Sequence, residues 1–185
     1  MRHFLSLSVC LALCLALPSA GICGTAGKIR KLSEVEYGHY IALRPFMTDA
    51  EKDAWLKLKT DAEKDAWLKA KTCCIPEKSL WDKLYQYNEV VRQRILDGKV
   101  ETGWTKEQVL MAWGAPYDKR KLTGRPAQRS ELLVYRFERH EDGVVLVYEP
   151  KSKTLYKALG TFTRLAYVDD DVVTSLVEKE GWVEE

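Results

Sequence analysis

The sequence predicts an α+β fold in which N-terminal helices precede a small antiparallel β-sheet. Three observations predict it. Helix caps with a glutamate or glutamine three positions on recur at Thr48, Thr60 and Thr105. After Ser130 the apolar period shortens to alternation, interrupted by Gly- and Asp-containing turns. The 185 residues are 46% hydrophobic and 10% aromatic, enough for a buried core. A net charge of +2 with 30% charged residues steers the chain toward neither polyanions nor polycations.

Residues 1–20 read as a signal peptide rather than as fold. Arg2 gives a positive start, an apolar run follows to Leu17, and Pro18-Ser19-Ala20-Gly21 offers small residues for cleavage. The run is short for a membrane span. The expectation is an exported chain in the periplasm or on the periplasmic face of the outer membrane. Cys23 is a candidate for lipidation, although Ile22 before it departs from the lipoprotein pattern. Export favours oxidised thiols. Cys23 and the vicinal pair Cys73-Cys74 are therefore candidates for lipidation or disulfide formation, and their pairing stays open. Adjacent cysteines rarely bridge each other, and the pair reads best as two small residues at a helix end.

Residues 21–47 show no period and are expected to be irregular, with His39 a packed or exposed loop histidine. Residues 48–98 are expected to be helical. They open with a twelve-residue tandem repeat, 48–59 and 60–71, in which one position differs. Each copy has its own capping box, acids in the first turn and lysines in the last. Twelve residues rotate a straight helix by about 120° beyond whole turns. Trp55 and Trp67 then cannot face one flat core unless the chain bends near Thr60. Deleting one copy is expected to spare the C-terminal fold. Pro76 breaks the chain, and Ser79 starts a helix expected to run to about Asp97, with Gly98 as its stop.

Residues 99–180 are expected to form the α+β domain. Thr105 caps a short helix with Gln108 at the capping-box position, and Gly114 and Pro116 end it. Val109, Ala112 and Trp113 lie on one face, so Trp113 is expected to anchor the core. Residues 118–128 read as a loop carrying Lys119, Arg120, Lys121 and Arg125, with Arg129 at its end and no acid between them. A solvated loop is the first reading. Contact with an acidic partner or anionic lipid is the second. Stacking aromatics are absent after Tyr117, so nucleic acid is not expected. Ser130 to Glu138 and Val144 to Tyr148 flank a hairpin loop at Gly143. Thr161 to Val168 and Val172 to Val177 flank Asp169-Asp170-Asp171. That triplet lacks the further ligands of a calcium loop, and no metal or cofactor is expected.

The stretch from Gly103 to Pro116 resembles the Gly-Met-Thr-Lys-Glu-Gln-Val and Trp-Gly-x-Pro signature of SmpA/OmlA-type (BamE-like) bacterial envelope proteins. The residues that carry it are Gly103, Trp104, Thr105, Val109, Trp113, Gly114, Pro116 and, on the following strand, Tyr135. Trp104 stands where Met is usual, and Leu133 where the family has Trp. The resemblance covers roughly residues 95–150 and fixes no catalytic residue. It implies a helix leading into an antiparallel sheet, and contacts with other envelope proteins such as outer-membrane assembly components, with peripheral membrane contact. A second resemblance, to GWxTD-domain envelope proteins, rests on Met47-Thr-Asp-Ala-Glu, Thr60-Asp-Ala-Glu-Lys-Asp, Asn88-Glu89, Arg94-Ile95 and Gly103-Trp104. Thr105-Lys106-Glu107 departs from its name-giving motif.

The sequence carries no phosphate loop, zinc spacing or nucleophile elbow. The expectation is a non-enzymatic, exported interaction protein. The alternatives are a secreted thiol-redox or hydrolytic enzyme, and a secreted protein inhibitor of similar fold.

Overall fold

Ser33, Thr48, Thr60, Ser79 and Thr105 each accept a backbone N–H three residues on, and the N3 side chain returns a bond to the cap. These five reciprocal caps satisfy donors that a helix start leaves unpaired, and they divide the N-terminal layer into short helices. The computed structural model describes residues 27–29, 31–73, 78–141, 143, 145–148 and 158–182. Its helices are α1 (Glu34–Leu43), α2 (Asp49–Trp55), α3 (Asp61–Ala70), α4 (Leu80–Tyr85), α5 (Glu89–Leu96) and α6 (Lys106–Trp113), with a 3₁₀ turn at Arg44–Phe46. A two-stranded ribbon, β1 (Thr72–Cys73) with β2 (Lys78–Ser79), sits between α3 and α4. Among the described residues, no helix is long and apolar enough to cross a membrane.

Two corrections concern these helices. Residues 34–46 are helical, not irregular. The buried face of α1 mixes Tyr40, Ala42 and Leu43 with Glu36, Gly38 and His39, which hides its period. Gly38 permits the close approach of α5, since a Cβ there would lie 3.3 Å from Leu96. The expected helix from Ser79 to Asp97 is two helices. The Asn88 side chain accepts the Val91 N–H at 3.0 Å and starts α5 afresh.

The tandem copies form two separate helices, α2 and α3, with the bend at Thr60. They are not equivalent. Trp55 and Leu56 of the first copy are buried, whereas in the second Leu68 and Lys64 are buried and Trp67 is half-buried. Lys64 forms an ion pair with Glu36 beneath α1. Burial alone would lift the Glu36 carboxyl, but hydrogen bonds from Lys64, Ser33 and Asp61 outweigh it and hold it at about 2, against an ordinary 4.5. A carboxylate depressed in the folded state contributes stability above its unfolded pKa and loses it as pH falls through the folded one. Denaturant melts should therefore weaken from about pH 4.5 toward about pH 2. Glu36→Gln should flatten that slope, and an unchanged slope would show that other carboxylates set it.

The sheet is antiparallel throughout. Its strands are β3 (Asp118–Leu122), β4 (Ser130–Arg139), β5 (Val145–Val147), β6 (Gly160–Asp169) and β7 (Val172–Glu180). The order is β3-β4-β6-β7, with β5 also paired to β4. Residues 118–122, expected to be loop, are therefore a strand, pairing Lys119 with Leu133 and Lys121 with Glu131. Leu133, Tyr135 and Phe137 on β4, with Phe162, Ala166 and Val168 on β6, join the helical layer in one core. Leu132, Val134 and Leu165 form a smaller cluster with Leu122 and Tyr167. Asp170 and Asp171 turn β6 into β7 at positive φ, 46° and 64°. Asp tolerates that conformation better than most residues.

Candidate functional site

Helix α6 and its leader tie the layers together. Gly103 N–H donates to the Val173 carbonyl and Val173 N–H to the Trp104 carbonyl, both at 2.8 Å, and Thr105 bridges Val172. Gly103-Trp104-Thr105 is thus a strap along the outer edge of β7, with Gly103 in a turn at φ 86° and Trp104 buried. Thr105 caps α6, Val109 and Trp113 bury, and Gly114 ends the helix at φ 78°. Tyr135 O–H donates to the Gly114 carbonyl at 3.2 Å, and burial pushes its phenol above the usual range. Pro116 is half-buried just before β3. The eight signature residues therefore fasten α6 to the sheet, around the rings of Trp113 and Tyr135.

Below this anchor, the helices and the sheet part to leave a cleft of about 820 Å³. One wall is Tyr37 and Ile41 of α1, Arg44, residues 96–101 and Ala112–Trp113 of α6. The other is Phe137, β5, Arg164 and residues 176–178 of β7. Tyr37, Leu96, Val145, Leu146 and Val177, all lining the cleft, are between 37% and 46% exposed. Arg164 lies in the sheet wall, with its guanidinium 4.9 Å from the Phe137 ring, 5.2 Å from Phe162 and 5.5 Å from Trp113. Its Nε donates to Glu178 at 2.9 Å. Asp97 is held by Lys99 at 2.9 Å and Glu101 by Arg94 at 3.0 Å. The cleft is apolar at its rim and its three carboxylates are each matched to a cation. The size suits a short ligand or a few residues of polypeptide.

A second cluster lies in the helical layer. His39, 6% exposed, stands 2.7 Å from the Tyr85 hydroxyl through Nε2 and 3.8 Å from Asp65 through Nδ1. Burial lowers the His39 pKa against the raising effect of Asp65, Glu36 and Asp61. Burial raises Tyr85. Tyr85 also stacks on Trp81 at 4.0 Å. This line of Asp, His and Tyr joins α3, α1 and α4. An activated nucleophile would need a lowered phenol pKa and a cleft beside it. The phenol here is raised, and the cleft just described is lined by other residues. The cluster therefore reads as a polar tie around one buried histidine, which the sequence did not signal because its members lie on three helices.

The basic residues of this stretch have partners within the chain. Lys119 pairs with Glu131 at 2.9 Å, Arg120 with Asp118 at 2.7 Å, Arg125 with Asp169 at 2.7 Å and Arg129 with Asp171 at 3.5 Å. The acids come from β4, from the start of β3 and from the β6–β7 turn. Lys121 is exposed on β3. The Asp169-Asp170-Asp171 triplet is spent on this turn, with Asp170 also accepting the Arg129 N–H at 2.9 Å. Among the described residues, no group of three His, Cys, Asp or Glu side chains is placed to hold a metal. Cys23 and Cys74 lie outside the described residues, and Cys73 is described only as backbone of β1. Comparison with known proteins finds no matching family model, curated protein or solved structure.

Proposed function

We propose that the chain is an exported bacterial envelope protein that works as a protein–protein interaction module, without catalysis, through the helix–sheet cleft. The observation that carries this reading is the gathering of five exposed large apolar side chains on one cleft. Scattered exposed apolar residues are ordinary, but a rim of them around a groove marks a contact surface. The resemblance to SmpA/OmlA-type proteins supports an envelope setting and outer-membrane assembly components as partners.

The test is site-specific photo-crosslinking in intact cells, followed by fractionation. A photoreactive residue replaces Leu146 on the rim, or Val90, which is 65% exposed and away from the cleft. Leu146 should capture an envelope protein that Val90 does not. The recovered chain should lack about 20–26 N-terminal residues by intact mass. Equal capture at both positions, or a full-length mass, would overturn the reading.

A further inference from the structure

One side of the cleft is made of unpaired backbone. Strand β7 ends the sheet order on its side, and among the described residues its outer edge is covered only at its start, by the strap at residues 103–105. Gly181 N–H donates to the Thr161 carbonyl at 2.9 Å, in register with Glu180 opposite Phe162, Glu178 opposite Arg164 and Leu176 opposite Ala166. Residues of an antiparallel pair alternate between bonding inward and facing outward. Gly181 bonds inward, so Glu180, Glu178 and Leu176 turn their N–H and C=O groups away from β6. Among the described residues these groups have no backbone partner. Leu176 and Glu178 also line the cleft, so the open edge and the apolar groove are continuous.

We propose that the β7 edge from Leu176 to Glu180 receives an extended strand from a partner protein, antiparallel to β7 and in line with the strap. This rests on the interaction-module reading and names the form of the partner. The strap bridges Val172 in antiparallel sense, so the same edge already accepts such a segment within the chain. The charges select the occupant. Glu180 calls for a cationic residue opposite it, Glu178, already bonded to Arg164, can take a second cation, and Leu176 and Val177 call for apolar residues. A second copy does not meet this demand. A two-fold antiparallel pairing centred on Glu178, Lys179 or Glu180 sets glutamate against glutamate, because opposed residue numbers then sum to twice that of the centre. The charged end of β7 thus guards against self-pairing while leaving a complementary strand admissible.

The test titrates the mature protein with a fluorescein-labelled hexapeptide, Lys-Glu-Lys-Val-Leu-Thr, written to run antiparallel from Glu180 to Ser175. Two N-methylated versions accompany it. Methylation of the second lysine, opposite Glu178, blocks an N–H that faces β7. Methylation of the valine, opposite Val177, blocks one that faces away. The parent peptide should bind saturably. The lysine version should bind at least about tenfold more weakly, and the valine version within about twofold of the parent. By hydrogen exchange, the Leu176 and Glu178 amides should be fast in the free protein and slow in the complex, while Val177 is slow in both. No saturable binding, equal loss on both methylations, or unprotected amides would overturn the proposal. Concentration-dependent protection of those amides without peptide would assign the edge to a second copy and also overturn it. A Leu146 crosslinked partner with an unprotected edge would leave the interaction module standing and sink strand addition alone.

Discussion

Replacing Trp113 with alanine should cost roughly 3–5 kcal/mol of folding free energy. The ring is 4% exposed and meets Tyr135 and Phe137 edge-on, with centroids 5.1 and 5.4 Å away. Its indole N–H donates to the Gly98 carbonyl at 2.8 Å, which fixes the turn between α5 and α6. Truncation removes the apolar burial, leaves a cavity and strips that carbonyl of its donor. Because Trp113 also walls the cleft, water can reach part of the vacated space, which places the expected loss toward the lower end. Trp113→Phe should fall between, since it keeps ring packing and loses the hydrogen bond. Urea melts of both variants measure this. A loss under about 1 kcal/mol for the alanine variant would show that the ring does not hold α6 to the sheet.

The tandem tryptophans should behave unequally despite nearly identical surroundings in sequence. Trp55 is 0% exposed, stacks on Tyr40 at 5.8 Å and lies under the Lys64 ammonium at 5.5 Å. Among the described residues its indole nitrogen has no hydrogen-bond partner, so its contribution comes from packing and the Lys64 contact. Trp55→Ala should cost about 3–5 kcal/mol, whereas half-buried Trp67→Ala should cost about 1 kcal/mol. Deleting residues 60–71 removes Leu68 and leaves buried Glu36 without Lys64. That deletion should lower the melting temperature more than Trp67→Ala. Amide protection in β4 and β6 should survive, because Trp113 of α6 still packs on Tyr135 and Phe137. Equal effects of the two alanine variants would mean that the copies are interchangeable.

What the sequence made legible was local. The capping boxes at Thr48, Thr60 and Thr105 fixed three helix starts, because cap chemistry lies within four residues. The hairpin turn at Gly143 and the alternation in β4 located the sheet. Helix α1 was missed although Ser33 and Glu36 carry the same cap spacing, since its buried face includes Glu36 and His39, whose partners are distant in sequence. The break at Asn88 was missed because an apolar period runs across it, and a cap can restart a helix without interrupting that period. Strand β3 was missed because Asp118-Lys119-Arg120-Lys121 has the composition of a loop. Its pairing with β4 and the acids that neutralise it belong to the tertiary structure. The cleft has no sequence signature, since its rim residues come from α1, the end of α5, β5 and β7.

The strap at residues 103–105 also bears on the order in which this chain completes itself. Its hydrogen-bond partner Val173, and Val172 opposite Thr105, belong to β7, so the contact closes a long loop in the chain. While the chain is still emerging, β6 has an exposed edge and the leader of α6 has nothing to lie against. Both vacancies are filled by one late event, the docking of β7. A chain truncated before Val172 should therefore expose two unpaired edges at once, the condition under which a partly folded protein aggregates.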